Sequence, residues 1–273
     1  MILSTVYSIL ILVFLVIFLI NSIRHRKEIK IYLKYGVLFA VIAIALDIIV
    51  VVLIPNFFEI MPLPALLAID AVVFVRTLIF TCLGIYYCTK LGIVEIPLLR
   101  RLSGKIDNFE MITWRNYMTS VILVVAGAIL FSVVLFKLTS PQLSEAMKQL
   151  SKDQGARLGI SSEPTVLAAF VVITFAFGEE ILFRLGIQNY LAQQFRLNGN
   201  KYWVAVVLTS AIWALAHANI LSPEWVKIVQ IFPFGIALGF LFKKYGLESC
   251  IFAHGIFNLS MMGIGPHLIT YTG

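Results

Sequence analysis

Apolar residues arrive in this chain in blocks close to twenty residues long, the length that a hydrocarbon layer of about 30 Å demands of a helix. Windows of about nineteen residues mark spans near 2–22, 36–54, 65–87, 116–136, 165–187, 203–219, 226–242 and 247–265. Of the 273 residues, 60% are apolar or aromatic and 13% are charged. Soluble domains carry roughly 45–50% and about 25% respectively, so a water-soluble globular enzyme is excluded. The expected fold is all-α, a polytopic membrane bundle of about eight transmembrane helices. Span 1 follows no basic stretch and exceeds the apolar region of a cleaved signal, so it reads as a retained helix.

The formal net charge of +7 is distributed by topology. Arg24, Arg26, Lys27, Lys30 and Lys34 follow span 1, and Lys90, Arg100, Arg101, Lys105 and Arg115 follow span 3. Arg184, Arg196 and Lys201 follow span 5, and Lys243 and Lys244 follow span 7. These basic loops are expected in the cytoplasm, which places both termini outside or in a lumen. Only Lys137, Lys148, Lys152, Arg157 and Lys227 fall on the other side, and Arg76 lies within a span. No basic stripe interleaved with aromatics is present, so membrane lipid rather than nucleic acid is the expected neighbour of these charges. Cys82, Cys88 and Cys250 sit in or beside apolar spans without CxxC spacing and read as small core residues.

The chain divides into three regions: a four-helix membrane region over 1–137, an outer loop over 138–163 with a short amphipathic helix around 141–153, and a four-span core over 164–273. The 89–115 segment is expected to hold an interfacial helix. Gly235 and Gly239 form a GxxxG pair that predicts close helix packing, with Pro233 kinking the same span.

A charge near the middle of a spanning helix costs on the order of 2.5–3.5 kcal/mol, so polar residues there face the bundle interior and mark function. The census gives Asp47, Asp70, Arg76, Glu179, Glu180, Arg184, His217, His254 and Asn258. Glu180 and Arg184 stand at i and i+4 in the order that favours an ion pair. Glu179 points about 100° away and is left as a carboxylate looking into the bundle. Trp213 and His217 share a face of span 6, His254 and Asn258 a face of span 8, and Gly255 would let another backbone or a substrate come close. Counted at 1.5 Å per residue, Glu179, His217, His254 and Asn258 fall within one or two turns of the same depth. Asp47, Asp70 and Arg76 read as structural, and His25 and His267 as solvated.

A carboxylate, two imidazoles and an amide suit activation of water for attack on a peptide carbonyl, with hydrogen bonds donated to the developing oxyanion. Two His and one Glu equally match a catalytic zinc set with an open position, and spacing does not choose between them.

The segments EEILFR (179–184), WALAH (213–217) and HGIFN (254–258), in this order on successive spans, resemble the EExxxR, FxxxH and HxxxN/B motifs of the CPBP (ABI) family. That family comprises the type II CAAX prenyl endopeptidases and bacteriocin-processing or self-immunity proteins. The resemblance covers about residues 165–265 and implies an intramembrane endopeptidase. By it, Glu179 activates water with His217, His254 and Asn258 bind the oxyanion, and Glu180 and Arg184 support them. It implies metal-independent chemistry with no cofactor, zinc being the runner-up. Trp213 stands where the family has Phe, which bears on pocket shape more than on chemistry. The implied substrate is a peptide or protein, either a CAAX-type tail, prenylated or not, or a leader peptide or pheromone, cut near the cytoplasmic half of the membrane. The membrane is that of the cell in a prokaryote, or the endoplasmic reticulum in a eukaryote. The competing readings are a non-catalytic scaffold or immunity protein on the same fold and, more remotely, a small transporter.

Overall fold

The computed structural model describes residues 2–54, 61–102, 114–149 and 165–269. Helices α1 (Ile2–Arg24), α2 (Arg26–Ile29), α3 (Leu33–Leu53), α4 (Leu63–Leu91), α5 (Pro97–Leu102) and α6 (Trp114–Thr139) form the first part. In the second, α7 (Val166–Glu180) runs through a π-helical turn, Ile181–Ile187, into α8 (Gln188–Gln194), followed by α9 (Tyr202–Leu215), α10 (Glu224–Tyr245) and α11 (Leu247–Ile264). Among the described residues seven helices are long and apolar enough to cross a membrane, and the chain is an all-α membrane bundle.

The sixth span is shorter than expected over 203–219. Helix α9 has 14 residues, about 21 Å at 1.5 Å per residue. Beyond it the chain turns at Asn219, whose φ of 66° is left-handed, and enters the extended pair Leu221–Ser222 (β2) before Pro223. Asparagine tolerates that conformation and proline admits no continuing helix, so the apolar composition of the segment overstated its helical length. β2 pairs antiparallel with Gln142–Leu143 (β1), directly after α6. Of the helix expected over 141–153, residues 145–149 are helical; positions 150–164, like Lys105 and 55–60, lie outside the described residues.

The contacts between connections sort the helix ends into two groups. At one end the Tyr32 hydroxyl donates to Thr89, the Leu247 amide donates to the Glu95 carbonyl and Lys243 Nζ donates to the Gly199 carbonyl. This basic end carries Arg24, Arg26, Lys90, Arg100, Arg196 and Lys244, and α5 is the short helix expected in the 89–115 segment. Helix α4 stops there because Gly92 takes a left-handed φ of 68° and its amide caps the Cys88 and Thr89 carbonyls. The other end gathers the starts of α1, α4, α7 and α10, the β1–β2 pair and the end of α11.

The amino-terminal helices share one hydrophobic core with the carboxy-terminal ones. Phe18 of α1 stacks on Phe80 of α4 at 4.0 Å between centroids, and Tyr190 of α8 closes on both Phe18 and Tyr87. The GxxxG pair of α10 seats that helix against α9: a Cβ on Gly235 would stand 2.9 Å from the Trp213 ring, and one on Gly239 2.5 Å from Val206. Helix α10 continues unbroken through Pro233. At Gly255 the expected close approach is not formed among the described residues, since a Cβ there would meet nothing within 4 Å.

Candidate active site

The EEILFR segment ends α7 and opens the π turn. A π turn widens the helix by one residue and frees main-chain carbonyls; here the Asn189 side-chain Nδ2 donates to the Arg184 and Leu185 carbonyls at 2.8 and 2.9 Å. Glu180 and Arg184 are both wholly buried, with Arg184 Nε 3.5 Å from Glu180 Oε2. The Arg184 guanidinium lies over the Trp213 ring, 4.7 Å from its centroid. Its nitrogens have no hydrogen-bond partner among the described residues, so the carboxylate and the indole face together hold the buried cation.

Glu179 leaves the helix in a different direction and keeps 26% of its side chain exposed. Trp213 Nε1–H donates to its Oε2 at 2.6 Å. His254 stands between the two acids, with Nδ1 2.8 Å from Glu180 Oε1 and Nε2 4.0 Å from Glu179 Oε2. The rings of His217 and His254 both meet Trp213 at near-right angles, at 5.1 and 5.2 Å. His217 Nδ1 is 3.1 Å from the Trp213 carbonyl, so it donates there and leaves Nε2 as the free ring nitrogen. Asn258 Nδ2 donates to the Val172 carbonyl at 3.4 Å.

Glu179, His217, His254 and Asn258 line one cavity of about 620 Å³. The structure thus brings the four sequence-predicted residues to one space, with Glu180 and Arg184 behind it. Trp213 is more than the shape determinant expected from the sequence, because its N–H binds the carboxylate directly. Lys227, which the sequence marks only as a charge of the outer side, lines the same cavity and donates to Gln230 at 2.8 Å. Its position on an apolar face of α10 was the available signal.

A second cavity of about 450 Å³ meets the first at Phe175 and Glu179, and it is lined by Tyr7, Asp47, Asp70 and Arg76. The three intramembrane charges left over in the sequence therefore surround one chamber beside Glu179. Arg76 reaches to 3.7 Å from where a Cβ on Gly178 would lie. No ion pair closer than 4.0 Å joins Arg76 to either aspartate among the described residues. No group of three or more His, Cys, Asp or Glu side chains among the described residues is placed to hold a metal ion.

Residues 161–260 match the family described as type II CAAX prenyl endopeptidase Rce1-like. The sporulation-killing factor biosynthesis protein SkfC of Bacillus subtilis (strain 168) is 31% identical over 91 residues, a stretch that spans 33% of this chain and 18% of that protein. The chain therefore covers less than a fifth of this relative's length. No solved structure matches. The family match spans every motif residue placed around the cavity, and the carboxy-terminal segment of this chain is similar, over that stretch and in the order of its three motifs, to the type II CAAX prenyl endopeptidase Rce1-like family.

Proposed function

We propose that the chain is an intramembrane endopeptidase in which Glu179 activates a water molecule. The observation that carries this reading is the placement of Glu179: one carboxylate oxygen held by the Trp213 N–H, the group partly open to a cavity, and His254 Nε2 4.0 Å away. The remaining oxygen of Glu179 takes a proton as water attacks the scissile carbonyl, and His217 Nε2 accepts a hydrogen bond from the same water. His254, its Nδ1–H donating to Glu180, gives an Nε2–H to the oxyanion when the ring is protonated, and Asn258 Nδ2 supplies a second donor. Collapse of the tetrahedral intermediate breaks the C–N bond, and the proton taken by Glu179 passes to the leaving amine.

Glu180 and Arg184 position His254 and Trp213 rather than touch substrate. Peptide cleavage is the activity the family supports; a CAAX-type tail, a leader peptide and a pheromone are the substrates its chemistry admits. Comparison of new peptide termini in membranes of cells carrying wild-type protein or Glu179→Gln tests the assignment. Loss of a defined set of termini at unchanged protein level is expected. A variant that cleaves normally, or that keeps the whole cellular phenotype, returns the protein to the scaffold or immunity reading.

A further inference from the structure

We propose that substrate reaches Glu179 from the end of the bundle opposite the basic loops, at the outer face of the membrane, so that the substrate is a peptide presented there rather than a cytoplasmic tail. The substrate class rests on the peptidase reading; the route does not.

Both cavities that touch Glu179 extend toward the same end. From Glu179 the first runs past Asn258 and Met261 to Ile220, Lys227, Pro266 and Ile269, which adjoin the β1–β2 pair and the end of α11. The second runs to Tyr7 near the start of α1, Val50 and Val51 near the end of α3, and Met61 and Leu66 at the start of α4. Their volumes fall in the range of ligand sites, roughly 300–1,000 Å³. Their walls are apolar with a few charges, Lys227 in one and Asp47, Asp70 and Arg76 in the other, besides Glu179 shared by both.

Toward the basic end the described residues leave no passage. Below Glu179 the helices are packed with Arg184, Gln188, Asn189, Ala205, Leu238 and Cys250, all fully buried. The Gln188 amide donates to the Tyr202 hydroxyl and that hydroxyl to Asn189, each at 2.8 Å, which ties α8 to α9 across the space a passage would need. From Glu179 to Gln194 this closed stretch is about 22 Å long at 1.5 Å per residue.

The sidedness is set by charge. By sequence fifteen of the 21 Lys and Arg fall on the basic side, five on the other and Arg76 within a span; Arg184 is buried beside Glu180, which leaves fourteen against five. Such a bias in short loops sets the basic end in the cytoplasm. Cavities that extend to the opposite end then extend outward, and among the described residues the packing leaves a soluble cytoplasmic tail no path to Glu179.

Thiol accessibility tests the route without needing catalysis. Cys82, Cys88 and Cys250 are buried and free, so the parent protein gives the blank for a membrane-impermeant sulfonated maleimide. I269C and V51C, at the two mouths, should react in intact cells, and K201C, exposed at the basic end, only after permeabilisation. The reverse pattern overturns the proposal. Maleimide added from outside to I269C should also abolish the Glu179-dependent peptide termini relative to the same untreated variant, while treated K201C keeps them. Cleavage that continues with I269C fully modified overturns the outer route. Outward labelling together with normal cleavage by Glu179→Gln instead defeats the peptidase reading and leaves the route standing.

Discussion

Trp213 donates its indole N–H to the Glu179 carboxylate at 2.6 Å, and the same ring meets both His217 and His254 edge to face. One side chain thus aligns the acid and both imidazoles. Trp213→Phe keeps an aromatic ring but removes the N–H, and a hydrogen bond to a charged group contributes about 1.5–3 kcal/mol. Cleavage is expected to fall by about ten- to a hundredfold, beyond what the accompanying loss of core packing explains. Undiminished cleavage by Trp213→Phe would mean that the indole does not position the acid.

Glu180 and Arg184 should behave as a unit. Both are wholly buried, and removing one partner of a buried pair costs about 3–5 kcal/mol. Arg184→Met should lower thermal stability in detergent sharply, and Glu180→Gln in the same chain should recover part of the loss. Additive losses in the double variant would show that the two side chains are not coupled.

Gly235→Val tests the seat of α10 on α9. A Cβ there stands 2.9 Å from the Trp213 ring, and overpacking of this kind costs about 1–3 kcal/mol. Because the displaced group is Trp213, cleavage should drop further than the stability loss alone explains. A variant with normal rate and normal stability would contradict the contact.

At the basic end, Glu95 is buried and its carboxyl is pushed up by that burial, with the Arg100 guanidinium pulling the other way. A carboxyl raised in the folded state contributes stability fully present below its unfolded pKa and lost as pH rises through the folded value. The stability advantage of wild type over Glu95→Gln should therefore shrink as pH climbs from the acid range to neutrality. Melting curves of the pair across that range decide it; a gap that widens with pH gives the sign wrong.

Zinc chelation separates the two chemistries that the sequence left open. Membranes stripped with a chelator are expected to cleave at the untreated rate, and loss that added zinc restores would replace the glutamate mechanism with a metal-assisted one.

The bundle was legible because spanning helices announce themselves by length and hydropathy, and because charges inside them are too costly to be accidental. The motif residues fell within the expected reach: Glu179 and His254, on helices far apart in sequence, end 4.0 Å apart. What the chain did not disclose was geometry set by tertiary contact. The end of α9 at Leu215 depends on Asn219 and Pro223 closing onto β1, and hydropathy averages over that turn. The gathering of Asp47, Asp70 and Arg76 beside Glu179 depends on how α3, α4 and α7 are rotated, which no periodicity in a uniformly apolar helix records. The role of Trp213 was hidden because an aromatic on an apolar face looks the same whether its N–H binds lipid headgroups or a buried acid.

The wide turn at Ile181–Ile187 has a consequence for how this helix can change over time. It holds one residue more than a regular helix would, which amounts to an azimuthal offset of about 100° between α7 on one side of it and α8 on the other. Upstream, Glu179 and Glu180 flank His254; downstream, Gln188 and Asn189 address Tyr202. A straight rod could satisfy one set only, so a single-codon deletion within 181–187 would rewind the splice and trade the acid pair against the amide pair, while every side chain of the two sets stayed in the gene.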